Sequence, residues 1–239
     1  AVIDLGGGTF DACVMELFEG ILQVKSVAGE SRLGGEDFTA ALAHHIATRA
    51  GIPIPPEGSL GWALLYKRAE LVKRALTRWP MTDVTLAPEV TGGEERELVI
   101  TVEEVDQVWA PLVLRLHAPI RSALRGARVE RAQLADVILV GGATRMPCGR
   151  KVVAEILERE PLVHGDPDML VAEGAGIQAA MIDGAKAVGE MVVTDVASHS
   201  LGVDVTRVIG SKHVDGYFTP IIHRNTVIPT SQWESFQTM

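Results

Sequence analysis

Asp4-Leu5-Gly6-Gly7-Gly8-Thr9-Phe10-Asp11 is the stretch on which the fold turns. Strand-like apolar runs stand on both sides, over residues 1–5 and 10–17, so it reads as two strands joined through three glycines. Backbone N–H groups with no Cβ beside them can close on an anion, which is phosphate chemistry. Thr9 adds a hydroxyl donor. Asp4 and Asp11 repel bare phosphate, so they call for a cation: a hydrated Mg²⁺ bridging the phosphates. For the glycines alone, a hairpin turn without a ligand is the alternative, and the aspartates and threonine in register argue against it.

Working outward, residues 21–27 give a third strand and complete an antiparallel meander. After Gly34-Gly35 the period changes. Residues 37–50 read as a helix that stops at Gly51 and a proline-rich loop over 53–56. A second helix is expected over 60–78, its Leu64, Leu65, Leu71, Val72, Ala75 and Leu76 near helical spacing and Trp79-Pro80 its stop. Residues 82–101 read as a strand pair across Thr91-Gly92-Gly93. Thr101 then offers an N-cap, with Glu103-Glu104 in the first turn of a helix that Pro111 should make irregular. A buried strand over 136–140 runs into Gly141-Gly142 and a helix over 147–158, an order that places ligands beyond the strand's carboxyl end. Residues 169–187 read as a helix whose small residues permit close packing. The apolar run Met191-Val192-Val193-Thr194-Asp195-Val196 reads as a linker with sticky side chains, or else as an ordinary first strand. Beyond it, Leu201, Val203 and Val205 alternate, and 217–222 gives another strand of a separate β domain.

Three further groups carry chemistry. Glu70, Lys73, Arg74 and Thr77 fall at i, i+3, i+4 and i+7 and share one helical face. By spacing alone this is the commonest solvated surface. Val140-Gly141-Gly142-Ala143-Thr144-Arg145-Met146-Pro147 follows the buried strand; its glycines either open a ligand site or let a helix pack on the strand. Asp166-Pro167-Asp168 is a candidate site segment or a plain cap, since proline suits the first helical turn. His44-His45 sit in a helix with no third ligand at metal spacing.

These strings together resemble the DnaK-type (70-kDa heat-shock) chaperones of the actin-like ATPase superfamily. The segment 4–11 is similar to the family's second phosphate-binding motif, and Gly29-Glu30-Ser31-Arg32-Leu33-Gly34-Gly35-Glu36-Asp37-Phe38 to the segment that follows it, with Gly35 near the nucleotide. The resemblance implies ATP or ADP with Mg²⁺. Gly6, Gly7, Gly8 and Thr9 would hold phosphate, with Asp4, Thr9 and Asp11 catalytic and Asp4 and Asp11 on the metal through water. Glu70 and Lys73 would hold the ribose, and Arg74 and Arg145 would sandwich adenine. Thr77 stands for the family's serine. Gly141, Gly142 and Ala143 would border the base, Ala143 replacing a serine and so putting one adenine hydrogen bond in doubt. Asp168 maps to the aspartate that closes the site.

The implied fold class is α/β: an actin-like (ribonuclease H-like) lobe formed by residues 1–33 and 108–188, with an inserted α+β subdomain over 34–107. An interdomain linker over 189–199 and the first strands of a peptide-binding β-sandwich over 200–239 would follow. Strand and linker wording leans toward an HscC-like branch. A second lobe, with the other phosphate hairpin, a catalytic lysine and an acidic residue, is expected before Ala1, so this chain alone should be nearly inactive. Implied partners are a J-domain co-chaperone, a nucleotide-exchange factor and unfolded or hydrophobic peptides. The rivals are a sugar or acetate kinase and a filament-forming relative, against which the linker and sandwich start discriminate.

Composition sets the outer bounds. The chain has 239 residues, 47% of them hydrophobic and 22% charged, enough for a sizeable core. A net charge of −9 with no basic stripe argues against nucleic acid. The apolar runs fall far short of the roughly 20 residues a spanning helix needs, so no membrane role is expected. Cys13 and Cys148 form no disulfide or zinc framework, which suits a reducing cytoplasm.

Overall fold

The computed structural model describes residues 1–162, 165–167, 169–185 and 192–237. β1 (Val2–Leu5), β2 (Phe10–Phe18) and β3 (Ile21–Glu30) form the expected antiparallel meander, with Leu5 opposite Phe10 and Phe18 opposite Ile21. Strand alternation sends Ile3, Leu5, Phe10, Ala12 and Val14 into the core. α1 (Gly35–Ala50) ends on Gly51 in the left-handed region. α2 (Leu60–Ala75) begins at Ser59, whose Oγ accepts the Trp62 amide at 3.1 Å.

β4 (Met81–Leu86) and β5 (Arg96–Thr101) pair as expected, but the connection differs from a hairpin turn. One helical turn, α3 (Pro88–Thr91), fills it. Proline at the first helical position and Gly92 at the stop favour a helix over a two-residue turn. α4 (Val102–Ala127) starts on the Thr101 cap and runs unbroken through Pro111 and Pro119. Each proline forfeits one N–H donor, while Val105, Trp109, Leu116, Ile120 and Ala123 bury a continuous stripe that offsets the loss. The helix crosses the expected boundary at 107/108, and Trp109 Nε1 donates to Phe38 O at 2.9 Å on α1.

β6 (Ile138–Val140) pairs parallel with β1, and α5 (Pro147–Leu157) follows. α6 (Leu170–Ile182) has no buried residue, so its small side chains do not serve the close packing expected of them. Residues 186–191, including part of the expected linker, lie outside the described residues. The remainder of the apolar run is β7 (Val192–Val196), parallel to β3. β8 (Leu201–Ile209) and β9 (Lys212–Ile222) form an exposed antiparallel pair. The short β10 (Val227–Ile228) returns to pair with β7, giving a six-stranded mixed sheet in the order β10-β7-β3-β2-β1-β6. Among the described residues no helix is long and apolar enough to cross a membrane.

Candidate functional site

The glycine turn is closed by Gly6 N donating to Thr9 O at 3.0 Å, and the register sets Asp4 directly opposite Asp11 at its neck. Burial raises the Asp4 carboxyl above its ordinary range, and the negative charge of Asp11 raises it further. Burial also raises Asp11, against a lowering by His199. Two like charges pushed together in this way create local demand for a cation. No group of three or more metal-ligating side chains occurs among the described residues, so the donor set fits a hydrated ion shared with phosphate rather than a protein cage.

The turn is held from behind by the start of α1. Gly35 N donates to Gly6 O at 2.9 Å and Glu36 N to Gly7 O at 2.8 Å. A Cβ at Gly34 would sit 2.3 Å from Gly7 O, so only glycine allows this approach. Gly141 does the same from the other side: at φ +86° it lies where a Cβ would be 2.4 Å from Leu5 O and 2.5 Å from Asp4 Oδ1. Three stretches distant in sequence thus meet backbone to backbone.

The charged face of α2 is only partly solvated: Arg74 is exposed and Glu70 half-buried. Lys73 is buried, and its Nζ donates to Gly35 O and Thr39 Oγ1, each at 2.7 Å, and lies 2.7 Å from Glu70 Oε2. Glu70 also receives the Thr39 hydroxyl at 2.6 Å and Arg74 Nε at 2.8 Å. Burial pushes the Glu70 carboxyl up, and the bonds from Lys73, Thr39 and Arg74 outweigh it and hold it below the carboxylate range. Thr77 donates its hydroxyl to Arg74 O at 2.8 Å. Sequence reasoning missed Thr39, because a threonine one turn into α1 carries no signal until α2 lies against it.

A cleft of about 930 Å³ collects these pieces. Gly6, Gly7, Gly35, Glu70, Lys73, Arg74, Thr77, Gly142, Ala143 and Arg145 line it, as do Glu36, Tyr66, Arg78, Trp79 and Met146, which the sequence did not single out. Gly8, Thr9, Asp4, Asp11 and Gly141 belong to the hairpin and its support rather than to the cleft wall. Arg145 pairs with Asp166 at 2.6 Å. Asp168 lies outside the described residues. A separate groove of about 730 Å³ between α4 and α5 holds none of these motifs.

The family model described as Hsp70 protein matches residues 1–239. The chain belongs to the Hsp70 family. It is 39% identical over 239 residues to a chaperone protein HscA homolog of Ralstonia nicotianae, and 41% identical over 239 residues to one of Cupriavidus necator. A Burkholderia lata homolog of the same name is 39% identical over 241 residues. Each match covers 100% of this chain and 37% of the relative, so the chain spans little more than a third of their length. Hsp70 membership implies the actin-like ATPase fold, in keeping with the mixed α/β sheet. These relatives carry the HscA name and lend no support to an HscC-like branch.

The Hsp70 chain also shows how its apolar segment is seated. Ile21, Leu22 and Gln23 of β3 pair with Val192, Val193 and Thr194 of β7. A clip just before β10 holds the edge: Arg224 donates to Val27 O from Nε at 3.0 Å and Nη2 at 2.5 Å, and to Ser122 Oγ from Nη1 at 3.3 Å. Val27 N donates in turn to Asn225 Oδ1 at 3.4 Å. Arg224→Ala is expected to speed amide exchange over 192–196 by about tenfold, the scale of one or two lost hydrogen bonds. Hydrogen-exchange mass spectrometry checks this, with exchange in α1 unchanged.

Proposed function

We propose that this chain supplies the adenosine-binding part and one phosphate hairpin of an ATP-driven chaperone, and carries the coupling strand to a peptide-binding β domain. The observation that carries the reading is the single cleft on which the hairpin, the Gly34–Glu36 turn, the α2 face and the Gly141–Arg145 turn converge. A preformed Glu70–Lys73–Thr39 network suits ribose hydroxyls, because its charges are already fixed before a ligand arrives. Arg74 and Arg145 line the same cleft and supply planar cations for the adenine faces. Asp168 is assigned the closing role by resemblance alone.

Asp4 and Asp11 would hold Mg²⁺ through water, the ion supplying charge neutralisation at the phosphates. Gly6, Gly7, Gly8 and Thr9 would orient the terminal phosphate through N–H and hydroxyl donors. The second phosphate clamp and the catalytic lysine are assigned to a further lobe of the protein, so the chain alone should hydrolyse ATP at least ~100-fold more slowly than the two-lobed protein. Turnover by this chain at the full rate would overturn that division of labour.

β7 is read as the interdomain linker seated on the ATPase sheet, with residues 1–33 and 108–188 as core, 34–107 as insertion and 200–239 as the opening of the β-sandwich. A J-domain co-chaperone, a nucleotide-exchange factor and unfolded or hydrophobic peptides are the proposed partners, in a reducing cytoplasm suited to free Cys13 and Cys148. Neither a sugar or acetate kinase nor a filament protein is favoured by Hsp70 membership.

Calorimetric titration with MgATP tests the reading. Arg74→Ala is expected to weaken binding by about tenfold, the size of a desolvated cation–π contact; unchanged affinity would remove Arg74 from the site. A second outcome follows from the raised Asp4 carboxyl. Its ionised form costs folding stability, a cost absent below the unfolded value near ~3.9 and complete above the folded one. Asp4→Asn should therefore melt roughly 1–3 °C higher at pH 7 without ligand, converge with the parent as pH falls below about 4, and bind MgATP more weakly. Thermal melts across pH, with and without MgATP, check all three.

A further inference from the structure

Trp79 is an aromatic side chain with nothing assigned to it. It follows α2, its backbone N–H donates to Ala75 O at 3.0 Å, and Pro80 comes next. That turn needs only a residue that tolerates a following proline; it does not need an indole. Yet the ring is 65% exposed. Of the other tryptophans, Trp109 is 3% exposed against Phe38 and Trp62 lies 5.2 Å from the His44 ring and 6.0 Å from that of Tyr66, while Trp233 is 86% exposed and lines neither of the two grooves described above. Among the described residues, Trp79 has no ring partner, no cation over its face and no acceptor for its indole N–H. What it does have is a place on the wall of the 930 Å³ cleft, which Arg74, Arg78, Ala143 and Arg145 also line.

We infer that Trp79 is a base-recognition residue, whose indole forms an aromatic wall of the cleft against which the edge of a purine base packs, the faces being left to Arg74 and Arg145. The inference rests on the adenosine reading of the cleft and adds a residue to it. The chemistry is specific in three ways. A flat π-surface beside guanidinium groups favours a flat, polarisable ring over a sugar or an aliphatic chain. The two χ angles of tryptophan cost little conformational entropy to fix, so a contact of this kind discriminates at small cost. The side chain also compensates chemically for Ala143, which offers no hydroxyl to the base edge: a nonpolar contact replaces a hydrogen bond. Alanine would keep the turn and lose the wall, whereas phenylalanine would keep most of the aromatic surface.

The test compares the parent protein with Trp79→Ala, Trp79→Phe and Arg74→Ala, titrated with MgATP and with magnesium tripolyphosphate, which carries no base. Trp79→Ala is expected to weaken MgATP binding about tenfold, the order of one edge-to-face aromatic contact, and Trp79→Phe by no more than about threefold. Tripolyphosphate should bind the parent and Trp79→Ala alike, within about twofold. MgATP should also change tryptophan emission in the parent, and that change should be missing in Trp79→Phe, whose melting curve serves as the control for folding. If Arg74→Ala weakens MgATP while Trp79→Ala does not, the base site stands and Trp79 is no part of it. If neither variant changes affinity, the adenosine reading falls and this inference with it. An equal loss of tripolyphosphate and MgATP in Trp79→Ala, or parent emission that is indifferent to MgATP, overturns the assignment too; the latter is the result expected if another segment of the protein covers the indole.

Discussion

Everything in the cleft depends on backbone lying directly against backbone at the glycine turn. The amides of Gly35 and Glu36 bind the carbonyls of Gly6 and Gly7, and neither Gly34 nor Gly141 leaves room for a Cβ. These contacts fix the hairpin to α1 on one side and to the turn after β6 on the other. The distance from the hairpin to the charged face of α2 is thereby set by main chain, which has far less freedom than side chains. Gly35 sits at the junction, since a Cβ there would meet Ala143 Cβ at 3.1 Å and Lys73 Nζ at 3.3 Å. Lys73 is buried for this reason: it spans the joint between α2 and the Gly35 carbonyl, with Glu70 and Thr39 compensating its charge. Such a buried, fully bonded cation acts as a spacer that holds its neighbours in one geometry.

The carboxylates at the neck illustrate the opposite strategy. Asp4 and Asp11 are kept close and partly buried without a compensating cation side chain between them, and their carboxyls are raised accordingly. Glu70, one element away, is held low by three donors. One site therefore contains a satisfied acid that rigidifies the α2 end and a raised acidic pair at the hairpin end. That division suits a ligand whose one end is neutral and whose other end arrives with a divalent ion.

β7 extends the same sheet, so a segment with an apolar, linker-like sequence shares hydrogen bonds with the strand that pairs with the phosphate hairpin. Val192 and Val193 remain 55% and 39% exposed, and only Val196 is buried. Seating thus relies on main-chain pairing and on the Arg224 clip more than on a hydrophobic pocket.

Much of this was written in the chain order. Strand alternation over residues 1–30, the cap at Thr101 and the glycine strings at 6–8, 34–35 and 141–142 are local signals, and each produced the expected element because local propensity and pattern agree there. The hairpin, the α2 quartet and the Gly141–Arg145 turn were all named from sequence, and Hsp70 membership was readable in them. Other features depended on contacts between distant segments. Thr39 acquires a role only when α2 packs on α1, Trp79 only when the end of α2 and the turn after β6 border one cleft, and Lys73 turns from a surface charge into a buried one by the packing of α2 on α1. Pro111 does not distort α4, because the buried stripe outweighs one missing donor. Whether 192–196 was linker or strand was undetermined in one dimension, since an apolar run of that length pairs with whichever edge is presented to it. The sequence specified which groups the site would contain; tertiary packing decided which of them are buried, which face the cleft and which stand strained, because burial and charge proximity exist only once the segments have met.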